Sequence, residues 1–197
     1  EGQMPRGVAE KIHGVLWFSD MQGFTAMSER PGSHELIPIL DDYADAVISA
    51  IHEAGGDVLK LIGDGVLAIF TDDNPAAACS AALAAERSMR KRVAALDERR
   101  KSQGEPLASI YLGLHIGDVF YGNIGSKERL DFTVVGPAVN ETHRISSMCT
   151  SVDRSLLVSS DFLNGLPEAE RTEFASVGRF ALRGVGRAQQ LFTLDVE

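Results

Sequence analysis

The sequence is poor in three features that mark specialised classes of protein: long apolar runs, cysteine and positive charge. No apolar run approaches the ~20 residues that cross a bilayer, and the first residues lack the hydrophobic stretch of a signal peptide. The two cysteines, Cys79 and Cys149, show neither CxxC spacing nor a disulfide-rich context. We therefore expect a cytoplasmic protein without membrane contact in this chain.

The charge balance also restricts the partners. The 28 acidic residues outnumber the 19 basic ones, and the formal net charge is −9. Long-range repulsion at this charge argues against nucleic acid as a partner. A length of 197 residues with 44% hydrophobic content suits one buried core, so we expect a single domain over 1–197. The chain starts at Glu1 rather than at methionine, which leaves open a longer parent chain with an upstream regulatory or membrane-anchoring segment.

Hydrophobic periodicity predicts alternating strands and helices in the first half. Residues 14–19 are typical of a buried strand, and a helix then ends at Gly55 and Gly56. Two strands flank the Gly-Asp-Gly turn at 63–65. Asp and Asn before Pro75 begin an Ala-rich helix that continues to about residue 101.

The second half contains further strands and a further helix. Residues 109–126 predict two strands joined by a turn near Gly117 and Asp118, and a strand at 130–135 precedes a helix that begins near Pro137. Strands around one short helix complete the chain. This order predicts an α+β fold, a mixed sheet with helices packed over one face.

Aromatic and histidine side chains have ordinary structural interpretations. We expect five aromatic residues in the core: Trp17, Tyr111, Phe120, Tyr121 and Phe132. His115 and His143 have no partner His or Cys at ligand spacing. We therefore expect each to be a packed or surface histidine.

Two aspartates stand where a sheet edge can bring them together. Asp20 ends the first predicted strand, and Asp64 occupies the turn between the second and third. Two carboxylates repel each other unless a cation lies between them, and Mg²⁺ binds carboxylates, carbonyls and phosphates. Each aspartate alone also suits a turn or a helix cap.

Four segments, in order, carry a family resemblance. FSDMQGFT (18–25) and LKLIGDGVLAIF (59–70) resemble the two metal motifs of the class III nucleotidyl cyclases. LGLHIGDVFYGNIGS (112–126) and LDFTVVGPAVNETHRI (130–145) resemble the family's next strands and its strand-to-helix segment. Together they identify the chain as a member of this family over about 12–194. The chain most resembles the bacterial Lys/Thr subgroup related to bicarbonate-responsive adenylyl cyclases. The resemblance implies a ferredoxin-like βαββαβ core with additional C-terminal strands in a mostly antiparallel sheet.

The resemblance also implies how metal ions and phosphates are bound. Asp20, Asp64 and the backbone carbonyl of Met21 would hold two Mg²⁺ or Mn²⁺ ions. Phe24 and Thr25 open a helix whose amide groups can receive phosphate oxygens. Arg183 matches a basic ligand of the triphosphate.

Asn140 and Arg144 lie four residues apart, so on a helix they share one face. The resemblance implies that Asn140 orients the ribose and that Arg144 stabilises the transition-state phosphate. Without it, an exposed helix pair is the simpler interpretation. After LHIG, Asp118 stands where many relatives have Arg, and we interpret this as a change in local pairing.

Purine recognition is assigned by the resemblance to Lys60 and Thr133. Lysine only donates hydrogen bonds, which suits adenine N1, whereas the threonine hydroxyl can accept from the adenine amino group or donate. A lysine between two leucines can also simply lie on the solvated face of a strand.

We therefore expect an adenylyl cyclase that acts in signal transduction and converts ATP to 3′,5′-cyclic AMP and pyrophosphate. The resemblance implies a homodimer in which one chain supplies the aspartates and its partner supplies Lys60, Thr133, Asn140 and Arg144. The alternatives are guanylyl or mixed specificity, and a catalytically silent nucleotide-binding or dimerisation module. Bicarbonate, an upstream sensor and dimerisation all stay open as regulators.

Overall fold

The computed structural model describes residues 7, 9–22 and 36–194, so the predicted phosphate-binding residues Phe24 and Thr25 lie outside the described residues. The described elements are β1 (Ala9–Gln22), α1 (Leu36–Glu53), β2 (Asp57–Ile62), β3 (Gly65–Phe70), α2 (Pro75–Ser102), β4 (Ser109–Gly125), β5 (Leu130–Val135), α3 (Pro137–Val152), β6 (Leu156–Ser159), α4 (Ser160–Gly165), α5 (Glu168–Arg171), β7 (Phe174–Phe180) and β8 (Gln189–Leu194).

The strands form one 8-stranded sheet in the order β2-β3-β1-β4-β6-β8-β7, with β5 also paired to β4. The pairing of β4 with β6 is parallel and the others are antiparallel. The predicted mixed, mostly antiparallel α+β sheet is therefore confirmed. β4 pairs with β1 from Ala9 to Gln22, whereas β3 pairs with β1 only from Val15 to Ser19. Asp20 consequently lies one residue beyond the last β1–β3 pair.

Helices cover both faces of the sheet. Val15 and Trp17 of β1 and Leu114 of β4 share one apolar core with α1 and α2. Gly113 points to the opposite face, where an added Cβ would lie 2.6 Å from the backbone nitrogen of Ser146 on α3. The expectation that helices pack over one face is therefore wrong. Within the described part of the chain, no helix combines the length and the apolar character that a membrane span needs.

β4 is one continuous strand, so the turn predicted near Gly117 and Asp118 is wrong. Gly117 lies opposite Gly14 of β1, and an added Cβ on Gly117 would be 2.7 Å from the Cβ of Ala138 on α3. A glycine inside a strand often marks a close approach of another element. Gly117 thus lets α3 approach the sheet and does not reverse the chain.

Asp118 forms pairs across the β1–β4 ladder. One carboxylate oxygen lies 2.8 Å from Nδ1 of His13, and the other lies 3.4 Å from Nζ of Lys11. The hydrogen bond with His13, together with nearby Lys11, holds the pKa of Asp118 below its usual value. This agrees with the interpretation that Asp118 changes local pairing.

Two further expectations need correction. Two short helices, α4 and α5, lie between β6 and β7, where one was predicted. Trp17 is fully buried, but Phe120 and Phe132 are 39% and 40% exposed and are therefore not core residues. Both lie on the β4–β5 pair, which projects a partly apolar surface.

Candidate active site

Asp20 is placed by β1 at a position where its charge is poorly compensated. Its Oδ1 atom is buried and has no hydrogen-bond partner among the described residues. Burial, followed by the negative charge of Asp64, raises the pKa of Asp20 from 3.8 to about 6. A cation at this position would relieve both the desolvation and the repulsion.

Asp64 lies in the turn between β2 and β3, where Gly63 adopts φ +59°. A left-handed conformation of this kind favours glycine. Asp64, Met21 and Asp41 all line a pocket of about 190 Å³ between this turn and α1. The turn therefore brings the second carboxylate near Asp20, as the sequence predicts, although β1 does not end at Asp20 but continues to Gln22.

The backbone of β1 adds an oxygen ligand to this edge. The carbonyl oxygen of Ser19 points towards β3, where it lies 3.3 Å from the Cβ position of Gly65. Carbonyls two residues apart on a strand point to the same edge, so the Met21 carbonyl points past the last β1–β3 pair. Two carboxylates and a backbone carbonyl fit a hard divalent cation. No cluster of three or more His, Cys, Asp or Glu residues at ligand spacing occurs in the described ranges, so this site depends on the two aspartates and the backbone.

Asn140 and Arg144 lie one turn apart on α3, which Pro137 begins after Gly136 at φ +140°. Asn140 is exposed and Arg144 is half-buried. Among the residues that the structure describes, no carboxylate forms an ion pair with Arg144. Burial, and then the charge of Arg144, lowers the pKa of His143 beside it.

A β-bulge determines where Lys60 points. The register of β2 on β3 shifts between Val58 and Lys60, so that Lys60 lies opposite Leu67. Without the bulge, Lys60 would share the face of Val58, which packs against the core beneath the helices. Leu67 pairs with Phe18, whose ring lies 4.7 Å from that of His143 on α3. The bulge therefore moves exposed Lys60 to the face that α3 covers.

Lys60 and Asn140 lie beside one apolar cluster on the face that α3 covers. Their sequence neighbours Leu59 and Val139 pack against it together with Val134 of β5, and its buried members are Leu16, Ile69, Val119 and Ala138. Thr133 is half-buried and lies opposite Gly122, which has no side chain to cover it. Lys60 and Asn140 therefore lie on the side of the sheet that α3 covers, whereas Thr133, next to Val134 on β5, points to the opposite face.

Two predicted groups remain without a direct link. No hydrogen bond or ion pair between described residues joins Asp20 or Asp64 to Lys60, Asn140 or Arg144. Arg183 is exposed and follows Leu182, which packs against Ile145 and Cys149 on α3. The described residues of one chain therefore show no direct bond between the candidate metal ligands and the candidate nucleotide ligands.

Sequence reasoning missed a contact beside Asn140. His115 was expected to be a packed or surface histidine; it is buried, and its Nε2 atom lies 2.6 Å from Oε2 of Glu141. The two residues lie on different elements, β4 and α3, so no local pattern could indicate the pair.

Residues 9–195 match the family model for the adenylate and guanylate cyclase catalytic domain. The chain belongs to this family. This class III cyclase domain is 34% identical over 163 residues to an adenylate cyclase of Anabaena cylindrica, a match that covers 81% of the chain and 32% of that protein. The chain thus spans about a third of the length of the curated relatives it matches.

Solved cyclases share the fold of the cyclase domain. The adenylyl cyclase CyaB from P. aeruginosa superposes with a TM-score of 0.82 at 24% identity, covering 96% of this chain and 97% of that one. The guanylyl cyclase Cya2 superposes with a TM-score of 0.79 at 24% identity, covering 94% and 93%. The fold predicted from the resemblance is therefore confirmed, and it is common to adenylyl and guanylyl cyclases.

Proposed function

We propose that this domain is an adenylyl cyclase that converts ATP to 3′,5′-cyclic AMP and pyrophosphate. The observation that carries the proposal is the buried, unpartnered Oδ1 of Asp20 beside the charge of Asp64. Two divalent ions, Mg²⁺ or Mn²⁺, bound by these aspartates and the Met21 carbonyl would lower the pKa of the ribose 3′-hydroxyl and neutralise the triphosphate. Asp20 and Asp64 fit this task because, while both are ionised, a bound cation relieves their mutual repulsion.

The other residues of the chain act on the nucleotide itself. In-line attack of the 3′-hydroxyl on the α-phosphorus needs a fixed ribose, and Asn140 supplies a neutral donor and acceptor for it. Arg144, which has no ion-pair partner among the described carboxylates, donates its planar fork to the oxygens of the reacting phosphate. Arg183 adds positive charge to the β- and γ-phosphates. The role of Phe24 and Thr25 in binding the phosphates remains a prediction from the sequence.

Lys60 and Thr133 favour adenine. Lys60 donates to adenine N1, and the Thr133 hydroxyl accepts from the adenine amino group. The same hydroxyl can donate to a guanine carbonyl, so guanylyl or mixed specificity is the second candidate. A silent binding module is the less favoured alternative because both metal-binding aspartates, Asn140 and Arg144 are all present.

A homodimer unites the two sets of ligands. Large apolar side chains are exposed near both sets: Leu61 and Ile62 on β2, and Ile124 and Val135 on β4 and β5. Thr133 shares a face of β5 with Val135, because residues two apart on a strand point to the same side. Each chain would therefore offer its apolar β4–β5 surface and its aspartates to a partner in a symmetric assembly. The buried free cysteines Cys79 and Cys149 favour a cytoplasmic setting, where the cyclic nucleotide would act as a signal.

Nucleotide products provide the test. Purified protein is incubated with Mn²⁺ and equal concentrations of ATP or GTP, and the products are separated by HPLC. We expect cyclic AMP as the main product, and a loss of at least about 100-fold in Asp20→Asn. Asp57→Asn, an exposed acid on β2, is the matched control and should retain parental activity. Equal activity in the parent and Asp20→Asn would refute the role of Asp20, and a main product of cyclic GMP would establish the second candidate.

A further inference from the structure

A buried histidine lies at the junction of α3 with the sheet. His115 is 3% exposed on β4. Its Nε2 atom lies 2.6 Å from Oε2 of Glu141 on α3, and its Nδ1 atom lies 2.7 Å from Oγ of Ser159 at the end of β6. Ser159 in turn accepts a hydrogen bond from the backbone N–H of Phe162 and so caps α4. One imidazole therefore links three elements.

One arrangement of protons satisfies this whole chain of contacts. In a neutral imidazole, Nε2–H donates to the Glu141 carboxylate and Nδ1 accepts the Ser159 hydroxyl proton. The Ser159 oxygen still has a lone pair for the Phe162 N–H. A doubly protonated ring would instead require the Ser159 oxygen to accept from both neighbours, while its own proton lost its acceptor.

Burial favours the neutral ring over the protonated one, against the effect of the nearby acidic groups. Burial lowers the pKa of His115, and this effect exceeds the opposing influence of Glu141 and of Asp161 on α4. Arg187, before β8, acts in the same direction as burial. Glu141, Asp161 and Arg187 are the charged groups that face the ring from α3, α4 and the β7–β8 connection.

Glu141 directly follows Asn140 and lies three residues before Arg144 on α3. On the proposed function, Asn140 and Arg144 are the side chains whose positions matter most for the geometry of the transition state. We infer that His115, held between Ser159 and Glu141, is a positioning residue that fixes the turn of α3 from which Asn140 and Arg144 reach the nucleotide. The inference rests on the proposed function for its effect on catalysis, whereas the arrangement of the ring can be tested independently.

The state of the ring is measured by NMR of the full chain labelled with ¹⁵N-histidine. The His115 resonance is assigned by its loss in His115→Gln. We expect the neutral Nε2–H tautomer at pH 7.5. In Glu141→Gln, an acceptor oxygen remains but the negative charge is gone, so the ring should stay neutral to a lower pH than in the parent. A doubly protonated ring or an Nδ1–H tautomer at pH 7.5 would overturn the inference, and this measurement needs only the parent.

Kinetics test the consequence for catalysis. Rates are normalised to nucleotide-binding sites, which are counted by titration with a non-cyclisable ATP analogue. In Glu141→Leu we expect kcat to fall by about 10- to 100-fold with KM for ATP within about threefold of the parent, because a displacement of catalytic groups by about 1 Å has effects of this size. Glu141→Gln should restore kcat to within about threefold of the parent, since its side-chain oxygen still accepts from Nε2–H. Ser147→Ala, at an exposed position on α3, is the matched control.

The outcomes separate the two claims. A parent that forms no cyclic nucleotide would refute the proposed function, and the NMR result would still decide the ring arrangement. An active parent with unchanged kcat in Glu141→Leu would overturn the positioning role. Equal losses in Glu141→Gln and Glu141→Leu would also overturn it, because the hydrogen bond would then not be the cause. If Glu141→Leu does not fold, Glu141→Ala replaces it, and the tautomer in the parent remains decisive.

Discussion

The environment of Asp20 makes the stability of the metal-free domain depend on pH. The folded protein raises the pKa of this carboxyl from 3.8 to about 6, so the folded state binds the proton more tightly than the unfolded chain. The ionised form therefore costs folding free energy above pH 6, and the cost disappears as pH falls towards 4. The prediction concerns the difference in unfolding free energy between Asp20→Asn and the parent, measured in EDTA. When the pH is raised from 4.5 to 7.5, we expect this difference to change by about 1 kcal/mol in favour of Asp20→Asn, once the partial exposure of Asp20 is allowed for.

Urea unfolding at both pH values and fixed protein concentration measures this change. Any effect of the asparagine on stability that does not depend on pH cancels, because the measured quantity is the change in the stability difference between the two pH values. Asp57→Asn should show no such change. Added Mn²⁺ should stabilise the parent and have little effect on Asp20→Asn. The same stability difference at both pH values would contradict the destabilising charge at Asp20.

Individual residues differ in how far the sequence alone predicts them. Asp64 was predictable because a tight turn is a local pattern. Asp20 was expected to end its strand, but β1 continues to Gln22 and only its pairing with β3 stops before Asp20. The face on which Lys60 lies was not predictable, since no Gly or Pro marks the bulge after Val58. The contact of His115 with Glu141 depends on how α3 packs on β4, which no local pattern specifies.

Among the elements, β4 shows why local signals can mislead. Gly117 and Asp118 form a typical turn pair, yet both lie inside a 17-residue strand. Gly117 is needed where α3 approaches the sheet, and Asp118 pairs with His13 on β1. Both requirements come from neighbouring elements. The hairpin of β2 and β3 contains its own turn, and so it was predicted correctly.

A substitution at Gly113 tests the close contact between β4 and α3. An added Cβ would lie 2.6 Å from the nitrogen of Ser146 and 2.9 Å from the carbonyl oxygen of Thr142, and neither backbone atom can move without the helix. We expect Gly113→Ala to lower the free energy of unfolding by about 1–3 kcal/mol, as overpacking commonly does. The displaced helix should also lower kcat, because it carries Asn140 and Arg144.

Urea unfolding and initial-rate assays measure the two effects. Gly186→Ala is the matched control, since an added Cβ there meets nothing within 4 Å. An alanine variant at position 113 with parental stability and kcat would show that α3 does not need this close approach.

For the whole molecule, the exposed apolar side chains are the feature that sequence patterns describe worst. Phe120 and Phe132 were expected in the core because aromatic residues on strands are usually buried. They lie on the β4–β5 pair, where Ile124 is 61% exposed and Val135 is 54% exposed. An apolar surface of this kind commonly marks an interaction site. The proposed homodimer would bury this surface between its two chains.

Mixing of inactive variants tests the shared site. Asp64→Ala should inactivate the set that binds metal, and Arg144→Ala should inactivate the set on α3. In a symmetric dimer, each mixed pair contains one intact site and one site with both defects. After complete subunit exchange, half of the dimers are mixed, so we expect about one quarter of the parental activity.

Asp64→Ala mixed with Asp20→Ala is the control, and it should give no recovery because both changes lie in the same set. Subunit exchange is verified by co-purification of differently tagged chains. No recovery in the first mixture despite complete exchange would place both sets of ligands in a single chain.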